Sequence, residues 1–276
     1  SAGATTSHTL TITDDDAAPA ATFDASASTA GESAGIVTIG VTLGAVSELA
    51  ATIPFTVSGT ATGAGTDHDL VDGSLTIAVG STTATVTLTL SDDALDELDE
   101  TVVVSMATGS LVNASAGATT SHTLTITDDD ATPTVTFAAS AQTAAESVGS
   151  VSVTASLAAV SGLDVTVPFT VSGTATGSGT DHDLVDGNLV IAAGSPDGTI
   201  SFTVTDDSLD ELDETVIVSM TTASLINATA GAVTAHTVTV TDNDETSVTF
   251  AASAQSVAES VPAIGIAVTL SVASAS

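Results

Sequence analysis

Val37-Thr38-Ile39-Gly40-Val41-Thr42-Leu43 alternates apolar and small polar residues at every step. In an extended chain that period of two puts Val37, Ile39, Val41 and Leu43 on one face, the pattern of a half-buried antiparallel strand. Val86, Leu88 and Leu90 alternate in the same way with Thr85, Thr87 and Thr89, and Leu10 and Ile12 sit between threonines. The pattern predicts strands near 20–25, 36–43, 51–58, 74–79, 83–91, 101–107 and 119–127. Short strands separated by Gly, Ser and Asp turns predict an all-β fold of tandem immunoglobulin-like antiparallel β-sandwiches, each of about seven strands. No segment carries a helical period; the stretch LDELDE at 95–100 is too short and too charged for one.

The strands belong to a repeat. SAGATTSHTLTITDDD at 1–16 recurs unchanged at 115–130, and as TAGAVTAHTVTVTDND at 229–244. His8, His122 and His236 mark a spacing of 114 residues, which is the size of a domain and not of a solenoid turn. Two complete modules are expected, at 17–130 and 131–244. Residues 1–16 read as the terminal strand of a preceding module, and 245–276 as the first strands of a following one.

Composition narrows the partners. The 276 residues include 34 Asp and Glu but no Lys or Arg, for a formal charge of −34. Nothing in the chain can neutralise a phosphate, so nucleic acid and anionic membrane surfaces are poor partners. Such acidity often accompanies disorder, but 43% of the residues are hydrophobic and the acids are clustered, so folded modules with acidic tips fit better. Cysteine is absent, which excludes disulfides, thiolate metal sites and Cys nucleophiles. No apolar run reaches the 18 residues of a membrane span. Residues 1–20 lack the basic start and apolar centre of a secretory signal, so any export address is expected outside this stretch.

Where the acids cluster, they need an external partner. DDALDELDET at 92–101 holds six carboxylates in ten residues and returns as DDSLDELDET at 206–215. Two unit charges about 4 Å apart repel by roughly 1 kcal/mol in water and several times that near a protein surface. With no internal cation available, this density of hard oxygen donors calls for Ca²⁺. Two further clusters, Asp67/Asp69/Asp72 and Asp128/Asp129/Asp130, fall in other loops. A sandwich can gather such loops at one end.

The ordered motifs GES, GTDHDL, DDALDELDET and TDDD resemble those of the Calx-beta domain, a module of sodium–calcium exchanger regulatory regions and of long extracellular proteins such as bacterial adhesins. The resemblance spans both full modules and both partial ones, and implies calcium ions bound at the tip formed by these loops. Carried onto module one, the ligands would be Glu32, Asp67, Asp92, Asp93, Glu97, Glu100, Asp128, Asp129 and Asp130, with the Leu95 carbonyl. In module two they would be Glu146, Asp181, Asp206, Asp207, Glu211, Glu214, Asp242 and Asp244, with the Leu209 carbonyl. The middle of the second terminal triplet is Asn243, a neutral amide that can still ligate Ca²⁺ with less charge. His68 and His182 stand where the family often has an aromatic residue.

Other chemistries find thinner support. One His per DHD motif, with no Cys and no second His nearby in sequence, is little basis for zinc. His8, His122 and His236 are expected to face solvent. Paired carboxylates can serve a glycosidase, but aromatic residues are only 2% of the chain, and such sites need a substrate cleft; no enzyme activity is expected. Asn113 and Asn227 match the glycosylation sequon. The leading expectation is an extracellular or cell-surface adhesive array, stiffened by Ca²⁺ into a rod or filament. Its partners would be neighbouring modules of the same chain and, through lateral association, other chains, without membrane insertion. A calcium-sensing tandem that changes inter-domain geometry is the alternative, and a spacer for a domain elsewhere in the polypeptide is a third.

Overall fold

The computed structural model describes residues 3–5, 7–13 and 15–274. Contacts divide the chain into two units, Ser1–Asp93 with Leu98–Asp129, and Ala94–Glu97 with Asp130–Ser276. Each unit contains a two-sheet, mainly antiparallel sandwich, so the tandem immunoglobulin-like fold expected from the alternation is what the chain adopts.

In unit 1 the strands are β1 (Ala20–Phe23), β2 (Ala27–Gly31), β3 (Ile36–Leu43), β4 (Ala51–Gly59), β5 (Gly73–Ile77), β6 (Thr83–Thr89), β7 (Glu100–Met106), β8 (Ser115–Ala116) and β9 (Ser121–Thr127). One sheet has the order β6-β3-β1-β8 and the other β2-β9-β7-β4-β5. Ile39, Val41 and Leu43 of β3 point inward with Phe23, Val86 and Leu88, facing Ile53, Phe55, Val102, Val104, Leu124 and Ile126 of the opposite sheet. Their intervening Thr and Ser residues lie toward solvent. β-Branched side chains suit this pleated, half-buried surface, and each large aliphatic residue removed from water contributes about 1.5–3 kcal/mol.

Unit 2 repeats the plan with β10 (Thr134–Phe137), β11 (Ala141–Ala145), β12 (Ser150–Leu157), β13 (Val165–Gly173), β14 (Gly187–Ile191), β15 (Asp197–Thr203), β16 (Leu209–Asp210), β17 (Glu214–Met220), β18 (Thr229–Ala230) and β19 (Ala235–Thr241). Its sheets are β15-β12-β10-β18 and β11-β19-β17-β13-β14. Beyond them, β20 (Val248–Phe250) pairs antiparallel with β21 (Val268–Leu270), and β22 (Ala273–Ser274) pairs with β16.

The first strand of each sandwich divides between the two sheets. β1 runs antiparallel to β3, whereas β2, three residues on, runs parallel to β9 in the other sheet. His122 secures the crossing. One ring nitrogen lies 2.8 Å from the Ala25 carbonyl, at the crossing itself, and the other lies 2.8 Å from the Ser28 hydroxyl. The expectation that His122 and His236 face solvent is therefore corrected: each is only 3% exposed. His122 is in phase with the inward Leu124 and Ile126, and its two polar atoms are satisfied inside. His8 alone of the three is exposed.

The second copy lacks one of these bonds. His236 keeps its contact to the Ala139 carbonyl at 2.7 Å, but its Nε2 is buried without a partner. Gln142 replaces the serine here and donates instead to the Ser152 carbonyl. A buried acceptor left unmade costs about 1–3 kcal/mol. Gln142→Ser is thus expected to stabilise unit 2 by about 1 kcal/mol in urea unfolding, and an unchanged midpoint would contradict the bond assigned to Ser28.

Residues 7–13 repeat Ser121–Thr127 letter for letter, yet form no strand, with Leu10 77% and Ile12 88% exposed. The same residues become β9 only between β2 and β7. Asn113 and Asn227, the two sequon asparagines, take left-handed φ values of 54° and 57°. Their side-chain amides donate to the carbonyls of Ala50 and Asp164, each at 2.9 Å.

Candidate metal centre

At one end of unit 2, five chain segments deliver carboxylates. Glu146 opens a single 3₁₀ turn, Glu146–Val148, directly after β11. Gly149, with φ of +78°, ends that turn in a conformation that side chains rarely adopt. Asp206 and Asp207 follow β15, Glu214 begins β17, and Asp242 and Asp244 follow β19. Asp181 sits in the turn ahead of β14, where its carboxylate accepts the Thr176 N–H. Gly173 lets β13 approach β17 beside Glu214: a Cβ there would lie 2.0 Å from the Thr215 carbonyl oxygen.

Glu146, Asp242 and Asp244 each place a carboxylate oxygen within 4.8 Å of the others. Two ligands on opposite sides of one Ca²⁺ stand about 4.6–5.2 Å apart, since each Ca–O distance is about 2.3–2.6 Å. Glu146 Oε1, Asp242 Oδ1 and Asp244 Oδ2 are buried and receive no hydrogen bond. A pocket beside them is lined by Glu146, Asp181, Asp207, Glu211, Glu214 and Asp242.

The electrostatics run in one direction. Burial, then the charges of Asp242, Asp207, Asp206 and Asp244, push the Glu146 carboxyl up to about 7. Burial, then a hydrogen bond with Asp181 and the charges of Asp181 and Glu211, push Glu214 up to about 7 as well. Glu211 and Asp244 are raised too, each by burial first and then by surrounding aspartates. Asp69 shows the opposite case: the Thr89 N–H donates to its carboxylate at 2.7 Å and holds it below the ordinary carboxylate range. At the carboxylate end the loops do the same for Asp181 and Asp207, which accept the Thr176 and Leu209 N–H groups, but leave Glu146 Oε1, Asp242 Oδ1 and Asp244 Oδ2 without a donor.

In unit 1, oxygens of Glu32, Asp92 and Asp129 come within 4.8 Å of one another, with Glu32 buried. The Ser33 hydroxyl donates to Asp129 at 2.6 Å. Asp67 accepts the Thr62 N–H, and its carbonyl accepts the Ser91 N–H at 3.0 Å, tying this turn to the start of the acidic tract. Glu100 begins β7, half-buried, and the Asp128 N–H donates to the Asp99 carboxylate at 3.3 Å. Asp93 ends the first segment of unit 1, while Leu95, Glu97 and Asp130 belong to unit 2.

The structure thus gathers Glu146, Asp181, Asp206, Asp207, Glu211, Glu214, Asp242 and Asp244 around one end of unit 2. Leu209 is half-buried in β16, and Asn243 is exposed between the two terminal aspartates. Asp210 acts on Asp244 through its charge, a participant the motifs did not single out although it sits inside the repeated tract. His68 and His182 prove to be core residues, each 3% exposed. The Leu70 N–H donates to His68 at 3.2 Å, and the His182 ring meets Phe202 edge-on.

The sequence model of the Calx-beta domain matches this chain twice, over residues 14–130 and 128–246. The chain belongs to the Calx-beta family. Among solved structures it is similar to CBD12 from CALX1.2, at 18% identity and a TM-score of 0.38, covering 80% of this chain and 99% of that one. The calcium binding domain CBD12 of CALX1.1 is similar at 18% identity and a TM-score of 0.38, covering 79% and 98%. The apo form of the Calx CBD1 domain is similar at 22% identity and a TM-score of 0.38, covering 41% of this chain and all of that one. The two Calx-beta modules here carry their carboxylate clusters on the same loops, and no histidine shares a group of three metal-ligating side chains among the described residues.

Proposed function

We propose that each Calx-beta module binds Ca²⁺ at its carboxylate end, and that the chain is part of an extracellular repeat array stiffened by those ions. The observation that carries the reading is the set of buried, undonated oxygens on Glu146, Asp242 and Asp244, in a chain with no Lys or Arg. A cation is the partner such oxygens lack. Ca²⁺ accepts six to eight oxygens in flexible geometry, whereas Mg²⁺ retains several waters and demands a stricter octahedron. Glu211, Glu214, Asp181, Asp206 and Asp207 would complete the shell or hold a second ion beside the first. Glu32, Asp92 and Asp129 would hold the counterpart in unit 1.

Affinity in such sites follows charge count and rigidity. Asp129 contributes an oxygen to its cluster, while the matching residue of the second module is the neutral Asn243. Calorimetric titration with Ca²⁺ should therefore resolve a weaker class of sites that Asn243→Asp tightens by about tenfold. An isotherm with no heat of binding at millimolar Ca²⁺ would sink the calcium reading.

The array reading rests on repetition: modules that share their motifs in the same order, short connections and no residue set that singles out one copy for catalysis. Its partners would be neighbouring modules of the same chain, with lateral association between chains as a further step. The tandem pair also suits a calcium sensor. Small-angle scattering of the chain in calcium and in EGTA separates the two. A stiffened array gives one narrow distribution of dimensions in calcium and a broad one without it, whereas a sensor gives two narrow and different distributions.

A further inference from the structure

Within unit 2, which includes Ala94–Glu97, the tip of the acidic tract is caught by a loop. The Asp96 carbonyl accepts the Gly162 N–H at 3.1 Å and the Ser161 hydroxyl at 3.2 Å, and the Asp96 carboxylate accepts the Thr132 hydroxyl at 3.2 Å. Asp96 and Ser161 form a parallel bridge, and Asp96 is only 8% exposed. The arrangement recurs in the same unit. β16, Leu209–Asp210, pairs parallel with β22, Ala273–Ser274, and the Thr246 N–H donates to the Asp210 carboxylate at 3.2 Å.

The receiving loop is shaped by its own bonds: the Leu163 N–H donates to the Ser161 hydroxyl at 3.1 Å, and the Gly194 N–H to the Ser161 carbonyl at 2.9 Å. The corresponding loop of unit 1 is built alike, with the Leu49 N–H on the Ser47 hydroxyl at 3.1 Å and the Gly80 N–H on the Ser47 carbonyl at 3.0 Å. One residue separates them at the point of contact. Where unit 2 has Gly162, unit 1 has Glu48. A Cβ on Gly162 would lie 2.5 Å from Oε1 and 2.6 Å from Cγ of Glu97. Gly162 does not need a left-handed backbone, so the obstacle to a side chain there is Glu97 itself.

We propose that this position selects the loop's partner, the acidic tip of another repeat: Gly162 admits the tip, and Glu48 refuses it. A Glu side chain would claim the volume that Glu97 fills and would set one carboxylate against another, a repulsion that grows steeply near a protein surface. Discrimination by a clash and an unpaired like charge is an economical way to separate near-identical partners. Loops 43–50 and 157–164 differ at 44/158, 48/162 and 50/164, and position 162 lies against Glu97, so that residue decides whether the loop accepts the tract.

The test is amide hydrogen exchange at residue 162 in the whole chain in millimolar calcium, comparing wild type with Gly162→Ala and Gly162→Glu. Ala sets a single uncharged methyl against the Glu97 side chain, so its exchange should stay within about threefold of wild type. Glu should expose the amide and speed its exchange at least about tenfold. The Glu48 loop shows that Glu is compatible with this loop's own hydrogen bonds, and an unchanged far-UV circular dichroism spectrum verifies folding. Wild-type exchange in the Glu variant, or an equal loss in the Ala variant, overturns the assignment.

Discussion

Chelating calcium with EGTA should lower the melting temperature of this chain by on the order of 10 °C or more. An ion that binds only the folded state adds about 2.7 kcal/mol when its concentration is 100 times Kd. In modules of about 100 residues each kcal/mol moves the midpoint by roughly 4–8 °C. Relief of the repulsion among buried carboxylates is part of what makes that Kd low. Glu146, Glu211, Glu214 and Asp244 are all raised by burial and by neighbouring acids, so without a cation folding works against them. No lysine is available for an isopeptide bond and no cysteine for a disulfide, so no covalent cross-link of either kind makes up the loss. Coincident melts in calcium and EGTA would contradict the account.

Glu146→Gln should change sign with calcium. In EGTA the substitution removes a buried negative charge facing Asp242, Asp207, Asp206 and Asp244, and stabilises unit 2. In calcium it removes a charged ligand, weakens binding by about tenfold or more, and destabilises the same unit. The pH profile follows from linkage. Glu146 ionises near 4.5 in the unfolded chain and about 7 in the folded one, so between those values the folded state holds the extra proton. Stability in EGTA is then highest at the acid side of that window and falls as pH rises from about 4.5 to about 7. Glu214 titrates in the same sense, so Glu146→Gln should reduce the slope without abolishing it. Urea unfolding at pH 5 and pH 8, with and without calcium, reads all four quantities. A substitution that destabilises under every condition would mean that Glu146 serves packing and not charge.

Much of this was legible because a half-buried strand writes its burial into the chain. Ile39, Val41 and Leu43 declared β3, and Val86, Leu88 and Leu90 declared the end of β6 and the residue beyond it. β2 and β8 left no such mark. Ala27–Gly31 is exposed or half-buried throughout, and Ser115–Ala116 is exposed. Both join sheets through backbone bonds, which depend little on side-chain identity. His122 was readable in principle, since it shares parity with Leu124 and Ile126. What hid it was the assumption that a polar ring belongs outside, when Ala25 and Ser28 supply both of its partners. Residues 7–13 teach the converse: a strand pattern without neighbouring strands stays unpaired.

The carboxylate cluster was visible as composition, and its convergence on one end followed from sandwich geometry. The ordering within it was not. Nothing in DDSLDELDET announces that Asp210 is held in β16 or that Asp181 spends one oxygen on the Thr176 N–H. Such assignments depend on pairings between segments far apart in sequence, and the spacing of acids inside a tract carries no trace of them. Gly162 and Glu48 belong to the same class: the difference is plain in the repeat, and its consequence needs the position of Glu97.

The most direct test of the central claim is anomalous diffraction from crystals grown in millimolar calcium. The account predicts a peak between Glu146, Asp242 and Asp244, with carboxylate oxygens at about 2.3–2.6 Å, and its counterpart among Glu32, Asp92 and Asp129. Crystals in which both clusters are free of anomalous density, with the carboxyls protonated and bonded to one another, would contradict it.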